Sequence, residues 1–197
     1  KRQLPSICNL IVAFGEINKV QTSKDLYGFV CQHGFRSSPI ATGALMRACA
    51  RGKRYEDLMS VFAKAAEEKL LPKHDVNLYS EIMKALCDAT RSADCAEIID
   101  TLQRQGHALG AHPRLLSYLV TSLVSSGQMT DAIKLFMTIG GKTELTSGIG
   151  VTLAKLVEEV GNHHDVNQLN LISNPISIIL KRRFDDEDIL WGTLIEA

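Results

Sequence analysis

The stretch Tyr79-Ser80-Glu81-Ile82-Met83-Lys84-Ala85-Leu86-Cys87-Asp88-Ala89 carries apolar residues at helical spacing, and nearly all of the 197-residue chain does the same. Such spacing is typical of amphipathic helices. β-branched alternation and Asn-Gly turns are absent, so a sheet has little support. We therefore predict an all-α protein.

Apolar pairs place this stretch in an internal repeat. Four pairs recur at spacings of 35, 37 and 37 residues: Leu10-Ile11, Leu45-Met46, Ile82-Met83 and Leu119-Val120. A second pair follows sixteen residues after each of them, at Leu26-Tyr27, Val61-Phe62, Ile98-Ile99 and Leu135-Phe136. This constant register predicts four units, each with a first and a second helix.

Polar turns such as Arg51-Gly52-Lys53-Arg54 separate the two helices of a unit. One helical hairpin cannot bury its own apolar face, so about three or more units must stack to close a core. The predicted fold is therefore a right-handed α-solenoid of stacked helix-turn-helix repeats. Ser38 before Pro39, His112 before Pro113, and Asp75 are the expected helix starts.

The repeat pattern predicts three regions. Residues 1–145 contain the four units, residues 146–174 form a degenerate fifth unit, and residues 175–197 form C-terminal capping helices. In the last region a basic run at 181–183 precedes an acidic run at 185–188. A basic run is favourable at a helix C-terminus, and an acidic run is favourable at the N-terminus of the next helix.

The quoted stretch at 79–89 resembles the first helix of a pentatricopeptide repeat, and Gly127-Gln128-Met129-Thr130-Asp131-Ala132-Ile133-Lys134-Leu135-Phe136 resembles its second helix. The resemblance covers about residues 4–142. Tetratricopeptide repeats are near neighbours, but their first helix carries a Trp, and the only Trp here, Trp191, lies outside the repeats. Pentatricopeptide repeat proteins act mostly on RNA in organelles, so the resemblance implies the mitochondrial matrix or, alternatively, the chloroplast stroma.

In repeat proteins of this type, two or three side chains per unit read one base of single-stranded RNA. The resemblance implies that the residue two positions before each first-helix apolar pair reads a base. A stripe of basic residues is predicted near these positions. The predicted RNA-binding residues are Gly43, Arg47, Arg51, Ser80, Lys84 and Ser117. Cys8 and Gly43 offer a base little or no hydrogen bonding, so base preference should be slight. The alternative for the stripe is a solvated helix face.

Composition limits the other classes of function. Lys plus Arg and Asp plus Glu both number 22, so no global field attracts RNA or membrane. No apolar run is long enough for membrane insertion.

The five cysteines are odd in number and lack a CxxC pair, so we expect free thiols in a reducing compartment and no metal. Since the first residue is Lys1, we expect that an upstream segment is missing.

No set of nucleophile, base and orienting acid is recognisable, so we predict no enzyme and no cofactor. The first hypothesis is RNA binding, or association with a ribonucleoprotein, in organellar RNA metabolism or translation. The alternative is a structural adaptor that binds protein subunits of a large assembly such as an organellar ribosome. A nuclease or editing factor would need a further domain.

Overall fold

The computed structural model describes residues 4–35, 38–107 and 112–140, which contain eight α-helices and no strand. The helices are α1 (Leu4–Glu16), α2 (Val20–Val30), α3 (Pro39–Arg51), α4 (Tyr55–Glu67), α5 (Val76–Asp88), α6 (Ser92–Arg104), α7 (Pro113–Ser125) and α8 (Met129–Gly140). A π-helix at Cys31–Phe35 follows α2 directly. Successive helices pair as α1 with α2, α3 with α4, α5 with α6 and α7 with α8. The predicted all-α solenoid of helical hairpins is confirmed.

The turns inside the hairpins repeat with the same register as the apolar pairs. Asn18, Lys53, Thr90 and Gly127 have positive φ angles of 58°, 53°, 56° and 73°. In each turn the next residue donates its backbone N–H to a carbonyl five residues back, for example Arg54 to Cys49 at 2.9 Å. This arrangement ends a helix and reverses the chain. Only one of these four positive-φ positions is glycine, so the turn geometry repeats although the residue type changes.

Three first helices begin at the residues that the sequence predicts. Ser38, Asp75 and His112 are the N-caps of α3, α5 and α7, and each side chain accepts a hydrogen bond from a backbone N–H of the first turn. Pro39 and Pro113 occupy that first turn, where a missing N–H leaves no intrahelical bond unmade.

The first helices form a continuous row, in which α1 contacts α3, α3 contacts α5, and α5 contacts α7. Each second helix packs on the first helix of its own unit. Leu45, Ile82 and Leu119, which share one register position, are 3%, 0% and 5% exposed. Their predicted burial is confirmed, and the core follows the row of first helices.

Small residues allow close contact between the first two units. A Cβ atom added to Gly15 of α1 would lie 2.4 Å from Cα of Ala48 in α3. One added to Gly52 would lie 2.3 Å from Cγ2 of Val20. Real carbon atoms do not approach so closely, so a side chain at Gly15 would collide with the α3 backbone, and one at Gly52 would have to displace the Val20 side chain.

The predicted fifth unit at 146–174 and the capping helices at 175–197 lie outside the described residues. Within the described ranges, no helix combines the length and apolar character needed to cross a membrane.

Candidate binding surface of the first helices

Arg47 projects from α3 and is held by carboxylates that belong to the next unit. Its Nη2 donates to Oδ2 of Asp75 at 2.9 Å, and its Nε lies 3.4 Å from Oε2 of Glu81. Oδ1 of Asp75 also accepts the backbone N–H of Leu78 at 2.9 Å and caps α5. Because Asp75 is fixed by this cap, the Arg47 side chain is fixed too, with 27% of it exposed.

Arg51 lies one turn further along α3 and joins three units. Its guanidinium forms ion pairs with Glu81 of α5 and with Glu16 of α1. The hydrogen bond to Glu81 is the main cause that raises the pKa of Arg51. Together Glu16, Arg47, Arg51, Asp75 and Glu81 form what we call the charge network, which contains two cations and three anions.

Other ion pairs and hydrogen bonds also link neighbouring units. Arg91 pairs with Glu56, 35 residues earlier, at 2.6 Å. Lys24 of α2 pairs with Asp57 of α4 at 2.7 Å. Ser92 donates to the side chain of Gln128, 36 residues later, at 2.6 Å. Polar side chains therefore connect units at separations close to one repeat.

The six residues predicted to contact RNA have different environments. Gly43 and Ser80 are buried, and the Ser80 hydroxyl has no hydrogen-bond partner among the residues that the structure describes. Ser117 is half-buried and donates to the Arg114 carbonyl at 2.8 Å. Lys84 is exposed, whereas Arg47 is only partly exposed and is paired with Asp75 and Glu81. Contact of these residues with RNA stays a prediction.

A groove of about 360 Å³ lies beside the charge network, between the start of α3 and the segment before α5. Its lining residues are Pro39, Ile40, Gly43, Arg47, Pro72, His74 and Asp75. A Cβ on Gly43 would lie 3.2 Å from Leu78 Cδ2 and 3.4 Å from Pro72 Cγ, so glycine lets this segment approach α3 closely. We call this site the α3 groove.

Sequence reasoning missed Ile40, which is 66% exposed at the rim of the α3 groove. A signal for it does exist in the repeat register. The equivalent residues are Pro5, Asn77 and Arg114, so Ile40 places a large aliphatic side chain where the other units have none. Ile40 therefore adds exposed apolar surface beside the α3 groove that the other units lack at this position.

Four of the five cysteine thiols are buried and the fifth, Cys31, is half-buried. Cys8, Cys49, Cys87 and Cys95 are buried. Burial raises the pKa of Cys49 to about 11 and that of Cys95 to about 12, so both thiols stay protonated and weakly nucleophilic at neutral pH. Burial also lowers the pKa of His107. Within residues 4–35, 38–107 and 112–140, no group of three or more His, Cys, Asp or Glu side chains could hold a metal ion.

No protein-family model matches the chain, and no curated protein matches it. Solved structures do match. The crystal structure of a kinesin light chain-like protein of Podosopora anserina with nearly identical TPR-like repeats is 17% identical, covers 92% of this chain and 97% of its own, and has a TM-score of 0.51. A second structure, a point variant of that protein, is 16% identical, with coverages of 92% and 96% and a TM-score of 0.53.

The chain has a TPR-like helical repeat fold. At these identities the similarity establishes the fold alone. The broad prediction of a helical repeat protein is confirmed, while the narrower assignment to pentatricopeptide repeats rests on the sequence resemblance alone.

Proposed function

We propose that this protein is a binding scaffold that holds a segment of another protein along its first helices, as an adaptor within a larger assembly such as an organellar ribosome. The observation that carries this proposal is the charge network. Arg47 and Arg51, the two arginines of the predicted basic stripe, are paired with carboxylates of their own chain.

Electrostatics disfavours RNA as the main ligand of this surface. Affinity for nucleic acid comes largely from cations that neutralise phosphates and release counterions. Here a phosphate would compete with three carboxylates for two guanidinium groups, on a chain whose formal net charge is zero. With two cations and three anions, the charge network does not favour the approach of a polyanion.

The α3 groove suits a protein segment. Ile40 and two prolines provide apolar walls, while Arg47, His74 and Asp75 provide polar groups at one side. Sites that bind organic groups are mostly apolar, with a few polar groups that fix orientation, and have volumes of about 300–1,000 Å³. A groove of about 360 Å³ is large enough for one or two side chains of a bound segment.

RNA binding remains the second candidate, because one observation favours it. The α3 groove brings Gly43 together with His74 and Asp75. The resemblance to pentatricopeptide repeats assigns base reading to such positions, one on the first helix and one at the end of the unit. Lys84 is exposed on the next first helix and could contact a phosphate.

Site-specific crosslinking distinguishes the two ligands. The photoreactive residue benzoylphenylalanine would replace Ile40 in the full chain, and adducts formed in native organelle extract would be treated with ribonuclease or with protease. Ala93, exposed on α6, provides the matched control position. We expect a ribonuclease-resistant protein adduct at position 40 that is several-fold weaker at position 93. An adduct that ribonuclease removes would instead support RNA binding.

A further inference from the structure

A second groove, of about 280 Å³, lies between the second helices α4 and α6. Phe62, Ala63 and Ala66 of α4 line it with apolar surface, and Phe62 is almost fully buried. Gln105, which follows α6, donates an Nε2 hydrogen to the Ala66 carbonyl at 2.8 Å and so joins the end of α6 to α4. Glu97 lines the groove from the α6 side. We call this site the α4–α6 groove.

Two carboxylates of the α4–α6 groove are uncompensated. Glu67 of α4 and Glu97 of α6 are exposed, and neither forms an ion pair with another residue that the structure describes. Arg104 also lines the groove, but its Nε lies 2.8 Å from Oδ2 of Asp100, and its Nη2 donates to Oγ1 of Thr101 at 3.0 Å. The groove therefore combines apolar surface with net negative charge, whereas the carboxylates of the charge network are all paired with arginines.

The repeat does not account for these two carboxylates. In the preceding pair of second helices, the register equivalents of Glu67 and Glu97 are Gln32 and Ser60, which carry no charge. That pair belongs to the same stack without a carboxylate at either position, so the stacking of units does not require them. Both carboxylates are therefore available to a ligand.

The spacing of the carboxylates indicates the shape of that ligand. Glu67 lies seven residues, or about two helical turns, beyond Ser60, the register equivalent of Glu97. The carboxylates therefore lie toward opposite ends of the groove, with Ala63 and Ala66 between them. A helix presents residues i, i+3, i+4 and i+7 on one face, so it can match this spacing. Lysine and arginine suit the site, because their aliphatic stems pack on apolar surface while their charged ends reach a carboxylate.

We propose that the α4–α6 groove docks a basic amphipathic helix of a partner protein, which places apolar residues against Ala63 and one cation beside each of Glu67 and Glu97. Complementary charge selects this partner and fixes its orientation in the groove. The same charge repels phosphates, so RNA does not fit this site. The groove lies on the second helices, apart from the α3 groove, so failure of this proposal leaves the proposed function above untouched.

The probe is a fluorescein-labelled, alanine-based helical peptide with two lysines seven residues apart and two leucines between them on the same face. A second peptide with glutamate in place of both lysines is the charge control. Binding to the full chain is measured by fluorescence anisotropy at low and at high salt. The test variants are Glu67→Gln/Glu97→Gln, which removes both charges, and Ala63→Trp, which fills the groove. The matched control, Asp25→Asn/Asp88→Asn, removes the same charge from exposed positions on α2 and α5.

We expect the lysine peptide to bind the unaltered chain and the Asp25→Asn/Asp88→Asn variant equally, and both more weakly at high salt. It should bind Glu67→Gln/Glu97→Gln about three- to tenfold more weakly, because each exposed ion pair contributes modestly. Binding to Ala63→Trp should weaken by a similar factor, and the glutamate peptide should not bind.

Three results would overturn the proposal. The first is no binding of the lysine peptide to the unaltered chain. The second is an equal loss in the Asp25→Asn/Asp88→Asn control, which would mean that only net charge matters. The third is undiminished binding to Ala63→Trp, which would place the peptide outside the groove. A dimer of the unaltered chain that dissociates in Glu67→Gln/Glu97→Gln would also overturn it, and would assign the groove to a second copy.

Discussion

Glu16 and Arg51 occupy the same register position in successive repeats, 35 residues apart, and form an ion pair across the contact between α1 and α3. Arg51 also reaches Glu81 in the third unit. One arginine therefore links three hairpins. These ion pairs compete with any binding of a polyanion by Arg51.

A double-mutant cycle on Arg51→Gln and Glu16→Gln measures this link. Both side chains are partly exposed, so we expect a coupling free energy of about 0.2–1 kcal/mol in urea unfolding at low salt, and less at high salt because mobile ions screen the pair. A cycle on Glu16 and Arg104, which are not ion-paired with each other, should show no coupling. Absence of coupling for the first pair at low salt would mean that it does not stabilise the stack.

Leu119→Ala tests the register of the stack, and Leu10→Ala is its matched control. Leu119 is 5% exposed, so its truncation should lower the free energy of unfolding by roughly 2–5 kcal/mol. Leu10 holds the same register position but is 52% exposed, so its truncation should cost no more than about 0.5 kcal/mol. The two values are compared by thermal and urea unfolding. Equal costs would contradict the described stacking.

Gly15→Ala and Gly28→Ala should have opposite effects on stability. The new Cβ at Gly15 would meet the Ala48 backbone at 2.4 Å, so we expect a loss of about 1–3 kcal/mol. No atom of the described residues lies within 4 Å of a Cβ at Gly28 inside α2, where alanine should add about 0.5–1 kcal/mol. Melting temperatures that shift in the same direction for both variants would contradict the close crossing of α1 and α3.

The buried thiols should make the fold sensitive to alkali. Burial raises the pKa of Cys49 to about 11 and of Cys95 to about 12, while the unfolded chain releases these protons near pH 8.5. Between these values the unfolded state binds fewer protons, so stability is full at lower pH and falls as pH rises. The melting temperature should therefore decline above about pH 9. The Cys49→Ala/Cys95→Ala variant should decline less steeply, and identical slopes would contradict this assignment.

The repeat register predicts most of the described fold. The positions of Leu45, Ile82 and Leu119 predict the core because each unit packs on its neighbour at the same register position. Asp75 predicts a helix start because its side chain caps the helix within a few residues. The charge network is harder to predict. The pair Glu16 and Arg51 could be found by placing repeats in register, but Arg47 and Asp75 are 28 residues apart, less than one repeat. Their contact depends on how the α5 N-terminus lies against α3, and the spacing of apolar residues carries no information about that.

The same limit of the repeat register explains why the residues predicted to bind RNA have different neighbours in the structure. Arg47 and Lys84 hold equivalent positions, yet Arg47 meets the carboxylates of the next unit and Lys84 lies exposed. Register identifies equivalent backbone positions. Which side chains neighbour them depends on residues of another unit, and these differ along the chain.

The salt dependence of RNA affinity tests the central claim. This claim is that the arginines of the first helices form ion pairs between units, and that the surface binds protein. Binding of short oligouridylate to the full chain is measured over a range of salt concentrations, for the unaltered chain and for Arg47→Gln/Lys84→Gln. We predict affinity no tighter than about 10⁻⁴ M near physiological salt, and no difference between the two proteins. If Arg47, Arg51 and Lys84 instead neutralised three phosphates, log affinity would fall against log salt with a slope near −2, and the variant would flatten it by about 1.4. That result would contradict the account.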